Sequence, residues 1–313
     1  MLYRQLGKSG ARVSVIGLGT NRFGYDRMPQ AEVNRALAGA ADLGINFIDS
    51  ADIYQGGRSE ETIGNALQEN GLRKKFVVAT KFFNRTGDGV NEWGASRLHL
   101  YQAVEASLRR LKTEAIDLYY VHNYDETTPA EEMLRGLDDV VRAGKVRYVG
   151  ASNFLAWQLA RANLLADVHG WSPFVVIQSH YHMLERGVEK EMLPFCRSQG
   201  VGMIPYFPLA GGFFTGKYRR GQAAPAGSRG ENNPYVQQYM TDANYTRLEK
   251  LQEWAAALGH TPGDLAQAWL LSHAEVSSVI SGATRLEQIQ ENARAADWVL
   301  TPQQVQEVDQ ILA

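Results

Sequence analysis

Short apolar runs and stretches of helical period alternate along nearly the whole of this chain. The strand-like runs lie at 15–18 and near 45–49, 76–81, 117–122, 147–152, 174–179, 202–207 and 276–281. Between most of them, apolar residues recur every three or four positions, at 30–43, 59–70, 96–111, 129–143, 154–168, 188–199 and 262–273. Strand–helix alternation predicts a parallel sheet with helices outside it. Eight such units in 313 residues predict a closed (β/α)₈ barrel, the TIM barrel. The alternative is an open doubly wound sheet. Its marker is a full G-x-G-x-x-G after a strand, whereas Gly17-Leu18-Gly19 continues as TNRFG. Residues 2–14 read as a polar N-terminal hairpin turning at Lys8-Ser9-Gly10. No Pro/Gly linker divides the chain, so a single domain over 1–313 is expected.

Three successive strand-like runs end in titratable residues: Asp49 in NFIDSADIY, Lys81 in FVVATK and His122 in DLYYVH. In a barrel these ends share one rim, the face that builds the active site. Tyr54 follows Asp49 by five residues on the loop beyond. A phenol is a weak acid, with a pKa of about 10. A nearby ammonium favours the phenolate and lowers that value, and a carboxylate behind the ammonium holds it in place. Tyr54, Lys81 and Asp49 therefore read as a proton relay with Tyr54 as general acid, and His122 as a residue that orients a substrate oxygen.

NFIDSADIY, VATK, DLYYVH and GASN, in this order and spacing, resemble the aldo-keto reductase family. The likeness runs from IGLGT near the start to GATRLEQIQEN near the end. It implies a catalytic tetrad of Asp49, Tyr54, Lys81 and His122, an N-terminal hairpin that plugs the barrel, and NADP(H) as cofactor. Ser152, Asn153 and Gln178 would grip the nicotinamide carboxamide, with Tyr206 stacking on the ring. Ser152-Asn153 also reads as a helix N-cap ahead of residues 154–168. By the same resemblance Gly19, Thr20, Asn21, Asp49, Phe207, Pro208, Leu209 and Gly211 border the cofactor. Lys217 and Arg229 resemble the pyrophosphate loop of the branch that includes the potassium-channel β subunits; taken alone, each is an ordinary solvated loop charge. Gly282, Ala283, Thr284 and Arg285 open a helix straight after the eighth strand, where backbone N–H groups favour an anion. Gln288, Glu291 and Asn292 share one helix face by their spacing, the face that holds adenine and ribose in the family. Gly282 and Gln288 stand where the vertebrate reductases have Lys and Arg, which leaves Arg285 in the first helical turn as the candidate for a 2′-phosphate.

The remaining features narrow the function. A formal charge of −2 shows no basic excess, which argues against nucleic acid or an anionic membrane as partner. There is no apolar leader, and no apolar run approaches the roughly 18 residues that span a bilayer, so a soluble cytoplasmic protein is expected. The lone Cys196 excludes an internal disulfide and reads as core. His180 and His182 face the same way on a strand, as metal ligands do. Lys81 among the rim residues suits a proton relay better than a cation site, and no metal is expected. The long loops 82–95 and 210–242 are left for a small-molecule carbonyl substrate, with Phe23, Tyr25, Trp93 and Tyr124 lining an apolar mouth. The expected activity is NADPH-dependent reduction of an aldehyde or ketone. The alternatives are a sugar or alcohol dehydrogenase running oxidatively, and an NADP(H)-binding sensor subunit with little turnover.

Overall fold

The structure, a computed structural model, describes residues 1–26 and 28–313. Strands β1 (Tyr3–Gln5) and β2 (Arg12–Ser14) form an antiparallel hairpin. Eight parallel strands follow: β3 (Ile16–Gly19), β4 (Phe47–Asp49), β5 (Val77–Phe82), β6 (Ile116–Val121), β7 (Val146–Ser152), β8 (Phe174–His180), β9 (Gly202–Tyr206) and β10 (Val279–Gly282). They close into a barrel in sequence order, with β10 pairing both β9 and β3. The expected (β/α)₈ architecture is what forms.

Outside the barrel lie α1 (Gln30–Asp42), α2 (Arg58–Glu69), α3 (Arg97–Leu111), α4 (Ala130–Arg142), α5 (Ala156–His169) and α6 (Met192–Gln199). Two short helices, α7 (Arg229–Asn232) and α8 (Pro234–Gln237), lie in the stretch expected to be loop. After them come α9 (Asp242–Ala257), α10 (Pro262–Leu271), α11 (Leu286–Arg294) and α12 (Pro302–Leu312). Helices α9 and α12 fall outside the helical stretches read from the pattern. Both start at a threonine cap: Thr241 accepts from the Asn244 N–H, and Thr301 exchanges bonds with Gln304 in a capping box.

Two apolar layers result. Phe47, Ala79, Leu118, Tyr120, Val176, Ile204 and Ile280 fill the barrel, and Leu6 and Val13 of the hairpin close its bottom. Burying each of those two contributes about 1.5–3 kcal/mol. Gly7 makes the close approach possible, since it has φ +54° and a Cβ there would come within 2.2 Å of the Val175 carbonyl. The second layer lies between barrel and helices, where Cys196 is buried as core. Among the described residues, no helix is long and apolar enough to cross a membrane.

Candidate active site

Asp49 ends β4 in register with Ala79 of β5, and Lys81 stands two residues further on. The strand period therefore turns both side chains into the barrel. The fully buried Lys81 ammonium donates to Asp49 Oδ1 at 2.5 Å and to the Ser50 carbonyl at 2.7 Å. Gln178 donates to the other Asp49 oxygen at 2.9 Å. Tyr54 comes from the turn after β4, where Gln55, Gly56 and Gly57 all take positive φ. Its ring lies 5.2 Å from Lys81 Nζ and meets the His122 ring edge-on, with centroids 6.2 Å apart. The four residues expected as a tetrad thus converge at one rim.

The proton positions follow from the neighbours. The Asn84 amide donates to His122 Nδ1 at 3.0 Å, which leaves the ring proton on Nε2. Burial, with Lys81 adding to it, pushes the His122 pKa down to about 3, so the imidazole is neutral. For Lys81, burial lowers the pKa, and Asp49 and Tyr54 more than offset it, so the net shift is upward. The Tyr54 expectation needs correcting. Lys81 does pull the phenol pKa down, but burial outweighs it and Asp49 and Asp52 add to the rise, so the pKa stands above its ordinary value. Tyr54 holds its proton rather than sharing it with Lys81. The arrangement presents two neutral donors, a phenol and an imidazole N–H, to an oxygen placed between them.

A cleft of about 710 Å³ opens from this rim. Asp49, Tyr54 and His122 border it, as does each residue named above as a cofactor neighbour. Strain gathers in the segments that follow the barrel strands: Gln55, Phe83, Asn153, Phe207 and Ala210 are non-glycine residues with positive φ, and Asn153 and Phe207 border the cleft. Asn153 is a brace. Its Nδ2 donates to the His122 carbonyl at 3.0 Å, and its Oδ1 accepts the Tyr206 hydroxyl at 2.9 Å. The N-cap reading of Ser152-Asn153 does not hold, because the N-cap of α5 is Leu155, whose N–H donates to the Gln158 side chain. Gln288 likewise accepts from the Thr284 N–H at 2.8 Å, fixing the loop ahead of α11. Arg285 is the N-cap residue of α11 with extended backbone, not a first-turn residue, and its side chain is exposed beside Glu287 at 3.7 Å.

The expected apolar mouth is only partly formed. Tyr25 borders the cleft, with the Arg22 guanidinium 5.6 Å from its ring. Phe23 does not: a tight turn, Phe23 N–H to the Thr20 carbonyl at 2.9 Å, points its fully buried side chain into the helix–barrel layer. Trp93 packs edge-on against Phe83, and Tyr124 against Phe154 and Trp157; neither borders the cleft. Two residues that do contribute were missed. Arg22 follows the end of β3 and was visible to the strand-end rule; Asn84 lies in the featureless loop 82–95 and had no signal.

The matching family model is the aldo/keto reductase family, over residues 15–313. The chain belongs to that family. It is 38% identical to a probable voltage-gated potassium channel subunit beta of Arabidopsis thaliana, covering 100% of this chain and 97% of the plant protein. It is 30% identical to the versiconal hemiacetal acetate reductase of Aspergillus parasiticus, over 99% of this chain and 96% of that one. A putative aryl-alcohol dehydrogenase of Schizosaccharomyces pombe is 32% identical, over 99% and 95%. Aldo/keto reductases are oxidoreductases that use nicotinamide cofactors, and the cleft has donors suited to one. Arg22, Lys217 and Arg229 border it, and among the described residues none has a carboxylate within ion-pair distance. Unpaired cations at one end and braced amides and Tyr206 at the other fit a long ligand with phosphates and a flat polar ring.

Proposed function

We propose that this aldo/keto reductase is an NADPH-dependent carbonyl reductase that converts aldehydes or ketones to alcohols. The observation that carries the reading is the pair of neutral donors, Tyr54 and His122, at one end of a cleft whose other end displays unpaired cations. NADPH would lie with its phosphates toward Arg22, Lys217, Arg229 and Arg285 and its nicotinamide beside Tyr206, Ser152, Asn153 and Gln178. It supplies the hydride; the protein supplies position and proton. Tyr54 gives its proton to the carbonyl oxygen as charge develops there, and the His122 N–H orients that oxygen. Lys81, held by Asp49, stabilises the phenolate left behind. Arg22 and Tyr25 at the mouth favour substrates with a flat or polar flank over plain alkyl chains.

The plant relative's name favours a second reading, in which the chain binds NADP(H) as a regulatory subunit and turns over little. Steady-state turnover with NADPH on a panel of aldehydes, beside a titration of NADPH binding, decides between them. Turnover on the order of 1 s⁻¹ or more supports the reductase. Tight binding with no turnover on any aldehyde supports the subunit.

A further inference from the structure

His180 and His182, at and just after the end of β8, take no part in the proton chemistry above. The Leu184 N–H donates to His182 Nδ1 at 3.2 Å, so the His182 ring proton sits on Nε2. That proton is directed at His180 Nε2, 3.1 Å away. The Tyr235 hydroxyl reaches the same His180 nitrogen. His180 Nε2 is therefore an acceptor shared by two donors, and the imidazole is neutral with its proton on Nδ1. The flat face of His180 stacks on Tyr206, with centroids 5.3 Å apart and planes within 10°. His180 and Tyr206 are register partners on β8 and β9, which puts the two rings side by side.

Tyr235 belongs to α8, within the segment 216–241 that carries Lys217 and Arg229 along the cleft. The strap meets the barrel end elsewhere too: the Tyr235 ring lies 5.0 Å from Phe207, Tyr239 meets His182 edge-on at 5.1 Å, the Arg229 guanidinium lies 5.9 Å from the Phe207 ring, and the buried Val236 packs on Gly211. Gly211 has φ +67°, and a Cβ there would come within 2.6 Å of Val236. A continuous path thus runs from Tyr235 through His180 to Tyr206, from Tyr206 to Asn153, and from Asn153 to the His122 carbonyl.

We propose that His180 is the positioning residue that latches the strap: it accepts the Tyr235 hydroxyl while its ring backs Tyr206, so strap closure and the nicotinamide platform are set together. A flat ring with an in-plane acceptor does both jobs; phenylalanine offers only the ring, and an amide only the acceptor. The functional consequence rests on the cofactor reading above. The latch does not, because it is formed within the chain itself.

Hydrogen exchange of residues 216–241 in the ligand-free chain tests the latch directly. His180→Phe and Tyr235→Phe should each speed exchange there about fivefold, the worth of one neutral hydrogen bond. The double variant should be no faster than the faster single one, and His180→Gln, which restores an acceptor, should recover most of the protection. Stopped-flow release of NADPH should quicken by the same factor in the two phenylalanine variants. Wild-type exchange in His180→Phe, or single effects that multiply, overturns the latch. So does a lower melting temperature with strap exchange unchanged. A loosened strap in a chain that binds no nicotinamide nucleotide leaves the latch standing and removes the cofactor reading.

Discussion

At the barrel end of the cleft, Asp49 and Lys81 are buried on regular strands and already have partners in Ser50, Gln178 and each other. At the strap end, Arg22 and Lys217 sit on irregular chain, Arg229 opens the short helix α7, and none of the three has a carboxylate to pair with among the described residues. A buried charge must be compensated when the chain folds; a half-exposed one can wait for a ligand. The first end is therefore preorganised, and its removal damages the protein. The second is unfinished without an anion, and its removal damages binding alone.

Lys81→Met should show the largest effect. It leaves the Asp49 carboxylate buried without its cation, a loss of about 3–5 kcal/mol. Thermal melts should fall accordingly, and carbonyl reduction should be lost as well. Adding Asp49→Asn should recover part of the stability and none of the turnover. A Lys81→Met protein as stable as wild type would mean that the pair contributes nothing to the fold.

Tyr54→Phe sits at the same end but keeps its ring, so stability should change little. Turnover should fall at least about 10²-fold, the usual contribution of a general acid, with NADPH affinity nearly unchanged. Because burial holds the Tyr54 pKa above its ordinary value, reduction by the wild type should stay level through neutral pH and decline only above about pH 10. A limb near pH 7–8 that vanishes in Tyr54→Phe would show that Lys81 outweighs burial after all.

Arg285→Ala probes the unfinished end. Arg285 is the one cation in SGATRLEQIQEN and is exposed at the N-cap of α11. Its nearest carboxylate, Glu287, is also exposed, a pairing worth little. A guanidinium free to meet a 2′-phosphate is worth about tenfold or more in affinity. Loss for NADPH with NADH untouched, read by fluorescence quenching, is the expected result at unchanged melting temperature. Equal loss for both cofactors would place preference elsewhere.

How much of this was legible beforehand follows the same division. The eight strands and the tetrad positions were readable because period and strand-end rules are local. Helices α9 and α12 escaped: in α9 Tyr245, Leu248, Leu251 and Ala255 are buried among many small or polar neighbours, and in α12 the core takes only Val308 and Leu312. Their caps, Thr241 and Thr301, were the usable signal. Phe23 was misplaced because one backbone bond in a turn decides which way a side chain points. The direction of the Tyr54 shift was misread because a nearby ammonium is visible in a strand-end pattern, whereas the depth of burial depends on every neighbouring element.

Asp52 makes the sharpest contrast with Asp49, three residues earlier. It is equally buried, yet among the described residues neither of its carboxyl oxygens has a hydrogen-bond partner. Burial, helped by the Glu60 charge and opposed by Arg110, pushes its pKa up to about 8. Glu60 itself is satisfied by Arg110 and Thr80, both at 2.6 Å. Asp52 is thus a neutral acid at pH 7, beside the relay but not on the cleft. The folded chain keeps this proton between about pH 4 and 8, where the unfolded chain has released it. The contribution to stability is therefore full below the unfolded pKa and is lost as pH rises toward 8, by up to about 1.4 kcal/mol per pH unit. Asp52→Asn, which mimics the protonated form, should leave turnover within about twofold of wild type, the smallest change of the four. It should also remove that decline, so that variant and wild type differ least near pH 4 and most near pH 8. Denaturant melts across that range decide it; parallel stability curves would show that Asp52 is ionised in the folded protein and paired by a group that relaxes to meet it.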